Sequence, residues 1–130
     1  MLRVFLDANV LFSAAYREGA GLLELWKIPD LRLLASGYAA EEARRNLDFS
    51  EQLSRLARLL ESVEIVAETP GQTLPPGVRL REKDEPILRA ALAAGASHLL
   101  TGDLRDFGHL IGRKVGSLRI QTPGDFLRSR

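Results

Sequence analysis

Short apolar runs alternate along the chain with longer stretches of helical periodicity. Leu2 to Leu6 is apolar with little alternation and ends on Asp7, the pattern of a short strand buried on both faces. Val10 to Ile28 reads as helix in two pieces, broken near Gly19 and Gly21 and stopped by Pro29-Asp30. Leu31 to Ala35 is a second strand-length run, and Ser36 suits the cap of a helix from Tyr38 to Leu47. A helix from about Ser50 to Ser62 sets Leu53, Leu56, Ala57 and Leu60 on one face, before a third strand at Val63 to Ala67. Five Pro and Gly residues between positions 69 and 77 predict a surface loop. The charged stretch Arg79 to Glu85 leads into a helix from about Asp84 to Gly95. Asp84 suits its cap, Pro86 its first turn and Gly95 its stop. Ser97 to Leu100 is a fourth strand, a short helix falls near Arg105 to Ile111, and Leu118 to Gln121 is a fifth strand. Thr122-Pro123 opens a last short helix.

Strands alternating with helices imply a three-layer α/β/α sandwich around a central parallel sheet of about five strands. A length of 130 residues suits one domain spanning 1–130. The chain contains no cysteine, which excludes a disulfide scaffold, a thiolate nucleophile and a zinc finger. The N-terminal apolar run is too short for a signal peptide or a membrane span, so the expectation is a cytoplasmic protein with no membrane partner. Eighteen Lys plus Arg stand against seventeen Asp plus Glu, a net charge of +1, which rules out a strongly basic arm and an acidic tail.

The placement of the acids says more than their number. Asp7 closes the first strand and Asp103 the fourth. In an open parallel sheet, residues past the carboxyl ends of strands face a common crevice. Asp84 sits at a helix start, Asp106 lies one helical turn beyond Asp103, and Glu41 and Glu42 lie on the helix after the second strand. Carboxylates gathered in one crevice need a counter-charge. Hard oxygen ligands, with no Cys and only two His, point to Mg²⁺ or Mn²⁺. One or two such ions suit phosphodiester hydrolysis. Asn9 and Thr101 are placed to support Asp7 and Asp103. Each acid also has a purely structural reading: Asp7, Asp84 and Asp106 as helix caps, and one of Glu41 and Glu42 as a solvated helix residue. Asp125, Asp30 and Asp48 fit helix-start or turn positions.

At these residues the chain resembles the PIN domains, the nuclease fold of many bacterial and archaeal VapC-like toxin components of toxin–antitoxin pairs. Val4-Phe5-Leu6-Asp7-Ala8-Asn9-Val10-Leu11 is similar to the first acidic motif, and Glu42 before Arg44-Arg45-Asn46-Leu47 to the second. Lys83-Asp84-Glu85-Pro86-Ile87-Leu88 resembles the third, and Leu99-Leu100-Thr101-Gly102-Asp103-Leu104-Arg105-Asp106-Phe107 the fourth. Arg119 to Leu127 fits the C-terminal strand and helix, while the likeness is thin from Asp48 to Leu80. The resemblance implies a Mg²⁺- or Mn²⁺-dependent endoribonuclease with Asp7, Glu42, Asp84 and Asp103 as catalytic acids. Asp7, Asp84, Asp103 and Asp106 would hold the metal. It also implies an RNA substrate, an antitoxin partner and a homodimer.

With the five site acids set aside, twelve acids face eighteen Lys plus Arg, a remainder of +6 suited to a polyanion. Arg44, Arg45, Arg81 and Arg105 are the candidate RNA contacts. Arg79 and Lys83 also lie beside the motifs, and Arg113 and Lys114 form a second small cluster; each has the alternative of plain surface charge. No aromatic series suited to base stacking is present. His98 and His109 lack ligand partners at metal spacing, and Trp26 reads as packing. The competing function is a catalytically idle PIN-like module that binds RNA or protein. It calls for a damaged acid set, and here the set is intact.

Overall fold

The computed structural model describes all 130 residues. Six strands form one sheet: β1 (Leu2–Leu6), β2 (Leu31–Ser36), β3 (Glu64–Val66), β4 (His98–Leu100), β5 (Lys114–Val115) and β6 (Leu118–Gln121). Their spatial order is β3-β2-β1-β4-β6-β5. Five strands run parallel as expected, and the sixth, β5, pairs antiparallel with β6 through Lys114–Arg119 and Val115–Leu118. The sheet is therefore mixed. β5 is only two residues long, too short for any periodicity to reveal, and the hairpin turns at Gly116, whose φ of 63° favours glycine.

Around the sheet lie α1 (Ala8–Tyr16), α2 (Gly37–Asn46), α3 (Ser50–Leu60), α4 (Glu85–Ala93), α5 (Leu104–Phe107) and α6 (Pro123–Arg128). The predicted helix from Val10 to Ile28 is more divided than its periodicity suggested. α1 ends at Tyr16, and Gly21–Lys27 is a 3₁₀ helix. Gly19, at φ 69°, turns the chain between the two. A second 3₁₀ segment, Gly108–Leu110, continues α5.

β1 is the centre of the fold. Val4, Phe5 and Leu6 have no exposure although successive side chains point to opposite faces, so both faces of the sheet are covered. Leu33, Leu34 and Ala35 of β2 and Leu99 and Leu100 of β4 continue this core to either side, under Leu11, Leu88 and Phe107 from the helices. No helix is long and apolar enough to cross a membrane.

The order of the strands positions the site. From β1 the chain moves to β2 and β3 on one side. After α4 it returns to β4 on the other side of β1. The direction of winding thus reverses between β1 and β4, and the carboxyl ends of these strands open a crevice. Leu6 pairs with Leu100 there, and the Asp7 backbone N–H donates to the Leu100 carbonyl at 3.0 Å. Asp7 and the Thr101-Gly102-Asp103 turn are therefore neighbours by register.

Candidate metal centre

Four segments converge on this crevice: the end of β1, α2, the start of α4 and the turn after β4. They enclose a cavity of about 450 Å³ lined by Asp7, Asn9, Glu42, Lys83, Asp84 and Asp103, with Phe12, Tyr38, Ala43, Asn46 and Ile87 forming a less polar side. Asp84, Asp103 and Asp106 each offer a carboxylate oxygen, and these three atoms lie within 4.8 Å of one another.

Asp7 is 5% exposed and fully engaged. One oxygen accepts from the Ala8 N–H at 2.7 Å, capping α1. The other accepts from the Thr101 hydroxyl at 2.7 Å and the Asn9 amide at 3.0 Å. Burial nevertheless raises its pKa above the ordinary aspartate value; the hydrogen bonds from Thr101, Ala8 and Asn9 oppose that rise, and the Asp103 charge adds to it. The cap reading and the site reading of Asp7 thus coexist in one side chain.

Asn9 and Thr101 tie β1 to the acidic turn. Asn9 Nδ2 also donates to Thr101 Oγ1 at 3.3 Å, and its Oδ1 accepts from the Gly102 N–H at 2.7 Å. The Asp103 N–H donates to Thr101 Oγ1 at 3.0 Å. At position 102 a Cβ would meet Asn9 Oδ1 at 3.3 Å, so a larger residue there requires the Asn9 side chain to shift by a few tenths of an ångström.

The capping pattern departs from expectation at two acids. Asp84 occupies the cap position of α4 but makes no side-chain cap bond. Pro86 in the first turn has no N–H to satisfy, so this helix start needs fewer acceptors. Asp106 is not a cap either: Asp103 caps α5 by accepting from the Asp106 N–H at 3.0 Å. The carboxylates of Asp84 and Asp106 are left to face each other and two cations. Lys83 Nζ lies 3.4 Å from Asp106 Oδ2 and 3.7 Å from Asp84 Oδ1, and Arg81 reaches Asp106 Oδ1 at 3.7 Å. Asp84 Oδ2 is buried with no hydrogen-bond partner.

Burial, with the neighbouring Asp106 carboxylate adding to it against the pull of Lys83, pushes the Asp84 pKa up to about 6. Asp106 is shifted the other way; its hydrogen bond with Asp84 and its contacts with Lys83 and Arg81 outweigh desolvation. Desolvation works against the Lys83 ammonium, but Asp84 and Asp106 hold its pKa above the ordinary lysine value. Two carboxyls this close titrate as a pair.

Glu42 lines the cavity, whereas Glu41 is exposed and paired with Arg44. Of the candidate RNA contacts, Arg45 and Arg105 are exposed, while Arg44 and Arg81 are already paired with Glu41 and Asp106. His98 packs edge-on against Phe126 at 5.1 Å, and Trp26 Nε1 donates to the Leu59 carbonyl; neither lines this cavity. Sequence reasoning missed the less polar wall. Its signal was helical spacing from the polar residues: Phe12 three after Asn9, Tyr38 and Asn46 four either side of Glu42, and Ile87 three after Asp84. The Tyr38 hydroxyl donates to the Lys83 carbonyl at 2.9 Å, fixing that wall to the segment before α4.

An α/β domain with acids gathered at the winding reversal of its sheet defines a class of ligand site rather than one protein. The family model for the PIN domain matches residues 3–105, and the chain belongs to that family. No curated protein sequence gives a significant match. Among solved structures, the chain resembles VapBC2 from Rickettsia felis, crystallised bound to a DNA fragment from their promoter. The TM-score is 0.64 at 17% identity, covering 93% of this chain and 98% of that one. VapBC-1 from nontypeable Haemophilus influenzae aligns with a TM-score of 0.64 at 18% identity, over 95% of this chain and 99% of that one. Mycobacterium tuberculosis VapC20, a sarcin-ricin loop cleaving toxin, aligns with a TM-score of 0.55 at 14% identity, over 77% of this chain and 91% of that one. At these identities the likeness is one of fold.

Proposed function

We propose that this PIN domain is a Mg²⁺- or Mn²⁺-dependent endoribonuclease that hydrolyses RNA phosphodiester bonds, and that it is the toxin component of a toxin–antitoxin pair. The observation that carries this reading is the convergence of Asp84, Asp103 and Asp106, with one buried Asp84 oxygen left unpartnered. A buried acceptor without a donor is costly unless a ligand meets it. Hard anionic oxygens with no nitrogen or sulfur donor among them fit a small divalent cation. Asp84, Asp103 and Asp106 would hold it, with Asp7 beside them.

A cation held there would supply positive charge to draw a phosphodiester to the acids and to stabilise negative charge developing on the phosphoryl and leaving oxygens. The chain's own residues do the rest. Thr101 and Asn9 hold Asp7 in one orientation and fix the turn that carries Asp103. Glu42, lining the same cavity, takes the proton of the attacking water. Phe12, Tyr38 and Ile87 form the less polar wall against which the nucleobase beside the scissile bond rests. Of the four candidate arginines, Arg45 and Arg105, exposed and without a carboxylate partner, contact flanking phosphates, while Arg44 and Arg81 stay with Glu41 and Asp106. The likeness to the VapBC structures supports an antitoxin partner, and a homodimer is part of the same reading.

The test is incubation of the purified chain with RNA in Mg²⁺ or Mn²⁺ and in EDTA. Cleavage that EDTA abolishes is expected. Intact RNA under all conditions, or cleavage indifferent to EDTA, overturns the reading.

Metal binding is also expected to follow the protonation of Asp84. Its folded pKa of about 6 lies above the ordinary value of 3.8. In the metal-free protein the group's contribution to stability is therefore fully present below about pH 4, and is lost as pH rises through about 6. A cation reverses the penalty only where Asp84 is ionised. The rise in Tm on adding Mn²⁺ should be larger at pH 7.5 than at pH 5, as measured by thermal melts. An equal rise at both pH values would contradict this account.

A further inference from the structure

The acid cluster already contains a positive charge of its own. The Lys83 ammonium sits between Asp84 Oδ1 and Asp106 Oδ2, at 3.7 and 3.4 Å. The two carboxylate side chains are only 9% and 7% exposed, whereas Lys83 is 54% exposed, so the ammonium enters the cluster from the solvent side. The two Asp84 oxygens consequently differ. Oδ1 meets the lysine, and Oδ2 is buried with no partner. The backbone of Lys83 is itself held, because its carbonyl accepts from the Tyr38 hydroxyl at 2.9 Å. The stem thus leaves a fixed point one residue before Asp84.

Five acids share this region: Asp7, Glu42, Asp84, Asp103 and Asp106. Their combined charge suits more than one cation, and two divalent ions are a common solution for phosphodiester chemistry. An ammonium on Asp84 and Asp106 competes for the oxygens that a second ion would need. It is tethered, so it is present whatever the free metal concentration, and it carries one charge where an ion carries two.

Resting on the metal-nuclease reading above, we propose that Lys83 is the second cation of this site. Its ammonium bridges Asp84 and Asp106 in place of a second divalent ion, so that the chain binds one ion, through the carboxylate oxygens the lysine leaves free, Asp84 Oδ2 and those of Asp103 among them. Lys83 is thereby a specificity-determining residue for metal stoichiometry. Arg81, 3.7 Å from Asp106 Oδ1, reinforces the arrangement from farther out.

The experiment is a Mn²⁺ titration of the full chain by calorimetry, with electron paramagnetic resonance to detect spin coupling between paired ions. The native chain should take one Mn²⁺ and show no coupling. Lys83→Met, which keeps the stem and the backbone bond to Tyr38, should take two, with the coupled signal of a dinuclear centre. Lys83→Arg should restore a stoichiometry of one. Thermal melts of each variant establish that it is folded. Two ions in the native chain, or one ion bound with unchanged affinity in Lys83→Met, overturn the proposal while leaving the metal-nuclease reading intact. No Mn²⁺ bound by any of the three overturns both.

Discussion

Replacing Asp103 by asparagine is expected to lower the RNA cleavage rate by roughly a hundredfold or more while leaving the fold in place. The fall follows from removing one fixed negative charge from the group that would hold the cation, a loss comparable with deleting a preorganised electrostatic contact elsewhere in catalysis, about 10²–10³-fold. The fold survives because the structural duty of Asp103 asks only for an acceptor. Its Oδ1 accepts from the Asp106 N–H to cap α5, and an asparagine oxygen accepts equally well. Its backbone N–H still donates to Thr101 Oγ1. Initial cleavage rates, read beside the thermal melt of the same sample, separate the two duties. Full activity in a folded variant would show that this carboxylate is not part of the chemistry.

The second large effect concerns the frame that brings the acids together. Phe5→Ala should destabilise the protein by about 3–5 kcal/mol, the usual cost of emptying an aromatic site in a packed core. Phe5 has no exposure and sits mid-strand in β1, opposite Leu34 of β2 and Leu99 of β4. Helices cover both faces, so no surface is free to collapse into the void. Against a typical total stability of about 5–15 kcal/mol, such a loss leaves the variant marginal. Urea unfolding measures it. A change below about 1 kcal/mol would mean that the centre of the sheet is less tightly packed than described.

These two positions also mark what was legible in the sequence. β1 was plain because five residues are mostly apolar and a carboxylate follows at once, a pattern that fits a doubly covered strand ending at an edge. That Asp7 and Asp103 are neighbours followed from both lying at strand ends in a parallel sheet. The pairing of Asp84 with Asp106 did not follow. Both aspartates suited a helix cap by sequence, and which acid fills a cap depends on the backbone. Here Asp103 takes the cap of α5, while α4 leaves Asp84 uncommitted. The arginines of the proposed RNA face were equally opaque, since only spatial neighbours reveal that Arg81 and Arg44 already have partners. β5 escaped because two residues define no period. The division of the segment from residue 10 to 28 was only half visible: the glycines marked the break, but not the change of helix type beyond it.

The pairing of β1 with β4 has a consequence for timing. Val4 meets His98, and Thr101 reaches back to Asp7, so acids are brought together by contacts 94 residues apart in sequence. Closing so long a loop costs entropy that no local contact repays. A chain emerging from the ribosome makes β1 first and the Thr101-Gly102-Asp103 turn about a hundred residues later, as the spacing of these segments in the sequence requires. Truncated or half-made copies therefore hold the first strand and α2 without the turn that would complete the acid set. On the ribonuclease reading, a nascent chain is harmless to the messenger and ribosome that are producing it. The site comes into being only once the Thr101-Gly102-Asp103 turn has been made and has reached Asp7.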